Sequence, residues 1–163
     1  MKLDIRRKGL FYRSYGFVDI YERCLYEVTS ERLNWYTNIA NIVDTSNGQQ
    51  VIKIYPEGRN YLVDILGLER FRIIIILKLF SREFVVEGKD LDIRLHQEGL
   101  LNFRYFIVRK DNGIVAQSNG FKELIIYDYN QLLTAIGIMT ALLLRGEADA
   151  ANSYIYVSPL YLL

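Results

Sequence analysis

The stretch YNQLLTAIGIMTALLLRGEADA, residues 129–150, contains the longest uncharged and mostly apolar run of this sequence. The thirteen residues from Leu132 to Leu144 carry no charge. As a helix they would be about 20 Å long, against about 30 Å for the hydrocarbon core of a membrane, so they are too short to span it. The apolar residues are not confined to one stripe of this helix. Such a helix must be surrounded by the rest of the protein.

The rest of the sequence favours β-strands. It is rich in aromatic residues, with 13 Tyr and 8 Phe but only 2 Pro, and short apolar runs alternate with polar or glycine-containing turns. Asn-Gly pairs at 47–48 and 112–113 mark tight hairpins because both residues tolerate positive φ, so we expect antiparallel strands. About twelve strands are predicted: KLDIRR, GFVDIY, CLYEVTS, WYTNIANIVDT, QQVIKIY, YLVDIL, RFRIIIILKLF, REFVVEG, LDIRLHQ, NFRYFIVRK, GIVAQSN and FKELIIYDY.

These two features predict a single fold. A sheet of about twelve antiparallel strands favours closure into a barrel, and a barrel that wide needs an internal plug. We therefore predict a mainly β protein, a closed antiparallel barrel that encloses a hydrophobic C-terminal α-helix at about residues 131–145. Asn130 is the expected N-cap, Arg145 and Gly146 are expected to end the helix, and the small residue Gly137 is expected to let strands approach. Residues 1–163 would form one domain, with 147–163 as a C-terminal tail.

In this arrangement the sequence resembles the tubby-like C-terminal superfamily, and within it the small prokaryotic relatives of the LURP-one-related proteins. The resemblance lies in the units FVDIYERCLYEV and FRYFIVRKDNGIVAQ, the strand FVVEG, and the closing ELIIYDYNQLLTAIGIMTALLL. It implies a twelve-stranded barrel around one hydrophobic helix, and tubby members bind phosphoinositides through basic residues of the barrel surface. The sequence departs from the pattern in DLDIRLHQEGLL and in the tail NSYIYVSPLYLL. The cysteine cluster of the related scramblases is absent, since Cys24 is the single cysteine.

Composition and motifs reduce the number of function classes that the sequence can support. Twenty basic residues nearly balance nineteen acidic ones, which gives no reason to expect nucleic acid as a partner. One cysteine and no signal-like apolar stretch near the start favour the cytoplasm. His96 and Cys24 lack any nucleophile motif around them, and the carboxylates between Glu83 and Asp92 lack a His or Cys neighbour. We therefore predict no catalytic residue, no metal site and no cofactor.

One local cluster does suggest a binding surface. Four basic residues near the start are interleaved with aromatic ones, a combination that suits lipid headgroups. A solvated hairpin is the simpler alternative reading. The predicted anionic-lipid surface consists of Arg6, Arg7, Lys8, Arg13, Phe11 and Tyr12.

The segment RIIIILKLF, residues 72–80, breaks the alternation expected of a barrel strand with one wet face. Something is expected to cover the outer side of Ile73 to Phe80. The C-terminal tail could cover it, either within the chain or from a second subunit by self-association.

These observations predict a non-enzymatic cytoplasmic binding module that engages a partner protein or an anionic membrane surface, to which it would attach peripherally without a transmembrane segment. The alternative is a small-molecule-binding protein or an enzyme. A pocket with convergent ionisable residues would favour that alternative, whereas a filled barrel with a basic outer patch would favour the module.

Overall fold

The computed structural model of the chain describes residues 1–8, 14–32, 38–78, 82–98 and 102–157. In these ranges twelve strands are followed by a 3-10 turn, Tyr129–Gln131, and a helix, α1, Leu132–Val157. The strands are β1 Lys2–Lys8, β2 Ser14–Val18, β3 Cys24–Arg32, β4 Asn38–Asp44, β5 Gln49–Glu57, β6 Asn60–Ile65, β7 Glu69–Leu77, β8 Arg82–Glu87, β9 Leu91–Glu98, β10 Asn102–Arg109, β11 Ile114–Asn119 and β12 Glu123–Ile126.

The strands form a closed barrel in chain order. Each pairs antiparallel with its sequence neighbours, and β1 pairs with β12 at the closing seam, where Leu3 lies opposite Leu124. Closure pairs the two edges that an open sheet would expose. The predicted fold of a twelve-stranded antiparallel closed barrel is confirmed, and every predicted strand segment overlaps one observed strand.

The two Asn-Gly hairpins form as predicted, β4 with β5 and β10 with β11. Each uses positive φ at one residue of the pair rather than at both. Gly48 has φ 70° in the first turn and Asn112 has φ 69° in the second. The first turn is closed by the bond from Gly48 N to Asp44 O, 2.8 Å, so it is longer than a two-residue turn.

The helix α1 fills the barrel. Ile136, Ile138 and Ala141 are completely buried, and Met139 and Leu142 nearly so. They pack in one core with the inward residues of the strands. The prediction that the barrel encloses the apolar helix is confirmed. The close approach expected at Gly137 is also present, because a Cβ built there would lie 2.8 Å from Cγ1 of Val63.

Two details of the helix prediction are wrong. Asn130 is not the N-cap: the side chain of Asp128 accepts a hydrogen bond from Asn130 N, 3.1 Å, and a 3-10 turn precedes α1. The helix also does not end at Arg145, since it continues through Gly146 to Val157. Gly146 does not have the positive φ of a glycine that ends a helix.

A close contact explains the small residue at position 146. A Cβ there would lie 3.0 Å from the ring of Phe121, in the turn between β11 and β12. Glycine at position 146 therefore avoids a clash between the helix and this turn. The helix continues beyond it because the following EADAA contains good helix formers. Residues 147–157 of the predicted tail are therefore helical, while 158–163 lie outside the described residues.

The barrel has two distinct ends. At the proximal end, where α1 begins, lie the turns 19–23, 45–48, 66–68, 88–90 and 110–113. At the distal end, where α1 leaves beside Phe121, lie the turns 58–59 and 120–122 and the distal end of β1. Because consecutive strands are antiparallel, charged residues far apart in sequence collect at one end or the other.

A polar contact fixes α1 at the proximal end. Lys89 is ion-paired with Glu69 and donates hydrogen bonds to Thr134 Oγ1, 2.8 Å, and Gln131 Oε1, 3.1 Å. Thr134 in turn donates to Glu69 Oε1, 3.0 Å. The buried hydroxyl and the lysine are thus satisfied where the helix enters the core.

Candidate functional site

The predicted lipid surface is divided by strand geometry. Arg6 and Lys8 lie on the outer face of β1, with Lys2 and Asp4, because successive side chains alternate. Arg7 has the same parity along β1 as the buried Leu3 and Ile5 but is exposed, near the distal end of the strand. Phe11, Tyr12 and Arg13 lie outside the described residues.

Arg6 is neutralised by acidic neighbours. Its guanidinium makes two hydrogen bonds to Glu22, one of them from Nη2 to Oε1 at 2.8 Å, and lies 3.6 Å from Asp4. These bonds lower the pKa of Glu22 and raise the pKa of Arg6. The positive charge of Arg6 is therefore compensated by acidic side chains, which makes Arg6 a poor binding group for an anionic ligand.

Lys8 has an acidic partner as well. Its Nζ lies 3.5 Å from Glu27 Oε2 on β3, two strands away. Partial burial disfavours its charge, but contacts with Cys24 and Glu27 outweigh this and raise the pKa of Lys8. Neither acidic partner, Glu22 or Glu27, is close to the basic cluster in sequence.

Five exposed cations lack an ion pair within the described ranges: Arg7, Arg59, Arg94, Arg104 and Lys122. Arg94 lies in the proximal half of β9, and the other four lie in the distal half of the barrel. Three of them are at its very end, and we call Arg7, Arg59 and Lys122 the basic rim. Lys122 lies beside β1, two residues before Arg7, because Ile5 N donates to Lys122 O, 2.8 Å. Arg59 lies across the rim, in the turn between β5 and β6.

Acidic residues near the rim are already paired. Glu57 binds Arg72 at 2.9 Å, Glu83 binds Lys78, and Glu123 lies 3.3 Å from Lys2. Among the described side chains, the distal end thus presents positive charge without matching free carboxylates.

At the proximal end, in contrast, the exposed cations of the turns and strand ends pair with carboxylates. Arg70 lies 2.9 Å from Asp64, and Lys110 lies 3.0 Å from Asp90. These hydrogen-bonded contacts raise the pKa of both cations. Arg23 pairs with Asp19 and Arg109 with Asp128 in the same way. The two ends of the barrel therefore differ in free positive charge, although Arg94 in the proximal half of β9 has no acidic partner among the described residues.

Arg59 and Lys122 are not recognisable as binding residues from the sequence. Each is a single basic residue in a short turn, and neither is near Arg7 in sequence. The turn at Arg59 is recognisable from Gly58, which has φ 65°. Closure of the barrel places Arg59 and Lys122 at the same end as Arg7.

His96 and Cys24 are not brought together. His96 is exposed on β9, whereas Cys24 is half-buried on β3, six strands away around the barrel. The Cys24 Sγ donates to Tyr26 O at 3.4 Å. Within the described part of the chain, no group of three or more His, Cys, Asp or Glu side chains is arranged to hold a metal ion.

The fold and the rim define the class of this protein, a closed twelve-stranded barrel with a buried helix and a basic end. Comparison with family models, curated proteins and solved structures finds no match to this chain. In the described residues, no helix combines the length and apolarity needed to cross a bilayer.

Proposed function

We propose that this barrel is a non-enzymatic binding module of the tubby-like, LURP-one-related type that attaches its distal end to an anionic phospholipid surface. It would act as a peripheral protein at the cytoplasmic face of a membrane. The observation that carries the proposal is the confinement of Arg7, Arg59 and Lys122, three exposed cations without described ion pairs, to one end of the barrel.

The spacing of these cations suits a surface better than a single small ligand. Arg7 and Lys122 lie at the closing seam, while Arg59 lies several strands away around the barrel. Groups spread around a rim can all reach an extended plane of headgroups. Each basic residue near an anionic membrane contributes about 1 kcal/mol, so three give weak attachment that salt screens within about 8 Å at physiological ionic strength.

The filled interior also supports a module that binds with its exterior. Ile136 and Ile138 occupy the centre of the barrel, where a ligand-carrying barrel would hold its ligand. The rest of the predicted lipid surface, Phe11, Tyr12 and Arg13, belongs to the connection between β1 and β2. Aromatic residues beside cations favour the membrane–water interface.

Vesicle sedimentation tests this proposal. The protein should sediment with vesicles that contain phosphatidylserine, not with pure phosphatidylcholine vesicles, and the binding should fall steeply with added salt. The combined change of Arg7, Arg59 and Lys122 to Gln should weaken binding roughly 100-fold, since about 3 kcal/mol is removed.

The matched control removes the same charge from the proximal end, by changing Arg23, Arg70 and Lys110 to Gln. This control should keep its vesicle binding. Equal loss in both triple variants would mean that net charge, and not the rim, attracts the membrane. No sedimentation of the native protein at low salt would contradict the proposal and favour a protein partner.

A further inference from the structure

An open groove of about 560 Å³ crosses the outer wall of the barrel over β9, β10 and β11. Its lining includes the basic side chains Arg94, His96 and Arg104 together with Phe106, Asn112 and Ile114. None of the described side chains that line it is acidic. Its volume is in the range of sites for small organic ligands.

Strand register places the two arginines near each other. Arg104 lies directly opposite His96, and Arg94 lies directly opposite Phe106. The two arginines are therefore diagonal neighbours on adjacent strands, within reach of one another for long side chains. The two guanidinium groups repel each other at this distance. An anion bound between them would be attracted by both and would compensate the repulsion.

Arg94 is positioned by a neutral partner. Its Nη2 donates to Asn112 Oδ1 at 2.7 Å, which orients the guanidinium without neutralising it. Asn112 is itself fixed in the β10–β11 turn by its positive φ and by the bond from its N to Arg109 O, 2.9 Å. The side chain of Arg104 forms no hydrogen bond or ion pair with the described residues.

The remaining lining is apolar. Phe106 is half-buried between the strands, and Ile114 is 48% exposed at the edge of the groove. An aromatic ring and a branched side chain beside two guanidinium groups suit a ligand with one anionic group and an apolar body.

We propose that this groove binds a small organic anion, in which a carboxylate or phosphate group is attached to an aromatic or branched apolar body. Arg94 and Arg104 hold the anionic group, and Phe106 and Ile114 contact the apolar body. This site goes beyond the proposed membrane attachment, because it lies on the side wall and not on the basic rim.

Backbone amide shifts in NMR titrations test the proposal with three probes of similar size. Phenylacetate and phenyl phosphate should shift the amides of Arg94, Phe106 and Ile114 in a saturable way, whereas neutral benzyl alcohol should bind at least tenfold more weakly. The ratio between the two anions tells whether a carboxylate or a phosphate is preferred.

Two substitutions examine the charges. Asn112→Asp places a carboxylate of the same shape against Arg94, and Asp tolerates the positive φ. It should weaken both anions about tenfold or more, because Arg94 is then paired within the protein. Asn47→Asp makes the same charge change in the other Asn-Gly turn and should leave binding unchanged.

Arg104→Gln should weaken the anions to a similar degree, while Arg59→Gln, on the basic rim, should not. Equal binding of benzyl alcohol and the anions, or unchanged affinity in the folded Asn112→Asp and Arg104→Gln variants, would overturn the proposal. Shifts confined to residues outside the groove would overturn it as well.

Discussion

The contact between Gly137 and Val63 shows how a single residue determines whether the helix fits inside the barrel. A methyl group at position 137 would lie 2.8 Å from Val63 Cγ1, and Ile52 Cγ2 would be 3.7 Å away. Val63 is a short β-branched residue with little freedom to move aside. Glycine costs about 1 kcal/mol within a helix relative to alanine, and close packing against the wall offsets that cost.

We expect Gly137→Ala to lower the free energy of unfolding by about 1 to 2 kcal/mol despite its better helix propensity, because overpacking outweighs propensity. Val63→Ala removes the clashing methyl, so the double variant should lose less than the sum of the two single losses. Urea titrations give these values.

The same substitution at Gly146 is the control. There the added methyl meets only the ring of the half-buried Phe121, at the end of a movable side chain. Gly146→Ala should therefore be neutral or slightly stabilising. A Gly137→Ala protein that is more stable than the native one would show that the surrounding strands shift to accommodate the added methyl group.

At the scale of elements, the strands follow from the sequence but their ends do not. Alternation and turn residues are local, which is why all twelve strand segments are recognised. The predicted last strand, FKELIIYDY, stops early because Tyr127 N and Asp128 N both bond to Val115 O, at 2.9 and 3.1 Å. That bend depends on a neighbouring strand, so no local pattern reveals it.

The candidate site is less predictable than the fold, because it also depends on contacts between elements that are distant in sequence. The sequence identifies Arg7 by its basic neighbours, but the partners that neutralise Arg6 and Lys8 come from other elements. Arg59 and Lys122 join Arg7 only through closure of the barrel. The groove likewise depends on the pairing of β9 with β10.

The helix itself should be the most protected element. Ile138 is fully buried inside the barrel, so amides from 136 to 143 should be among the slowest to exchange with deuterium. Ile138→Asp should abolish soluble folding, because it places an unpaired charge in the core. Ile20→Asp, at a residue that is 69% exposed, should fold normally. Fast exchange in the helix would contradict its central role.

At the scale of the whole molecule, exposed apolar residues of β7 and β8 adjoin each other in a patch on the described part of the outer wall. Ile74 on β7 lies opposite Val85 on β8, and Ile76 continues the same face. Ile76 is 40% and Val85 41% exposed, although both are large apolar residues. Ile74 and Ile76 belong to the predicted Ile73 to Phe80 surface, whereas Ile73 and Ile75 of that segment are buried in the core. Adjoining exposed apolar residues of this kind favour a covering partner, either the C-terminal tail or a second subunit.

Light scattering distinguishes these two forms of covering. If a second subunit covers the patch, changing Ile76 and Val85 to Lys should reduce the native mass to that of a monomer. If the tail covers it in the same chain, the native protein is already a monomer, and deletion of residues 158–163 should increase binding of a hydrophobic dye. Ile20→Lys, at an exposed position in the β2–β3 turn, should change neither quantity. Native mass and dye binding that stay constant through all of these changes would exclude both forms, and the patch would then be simple exposed surface.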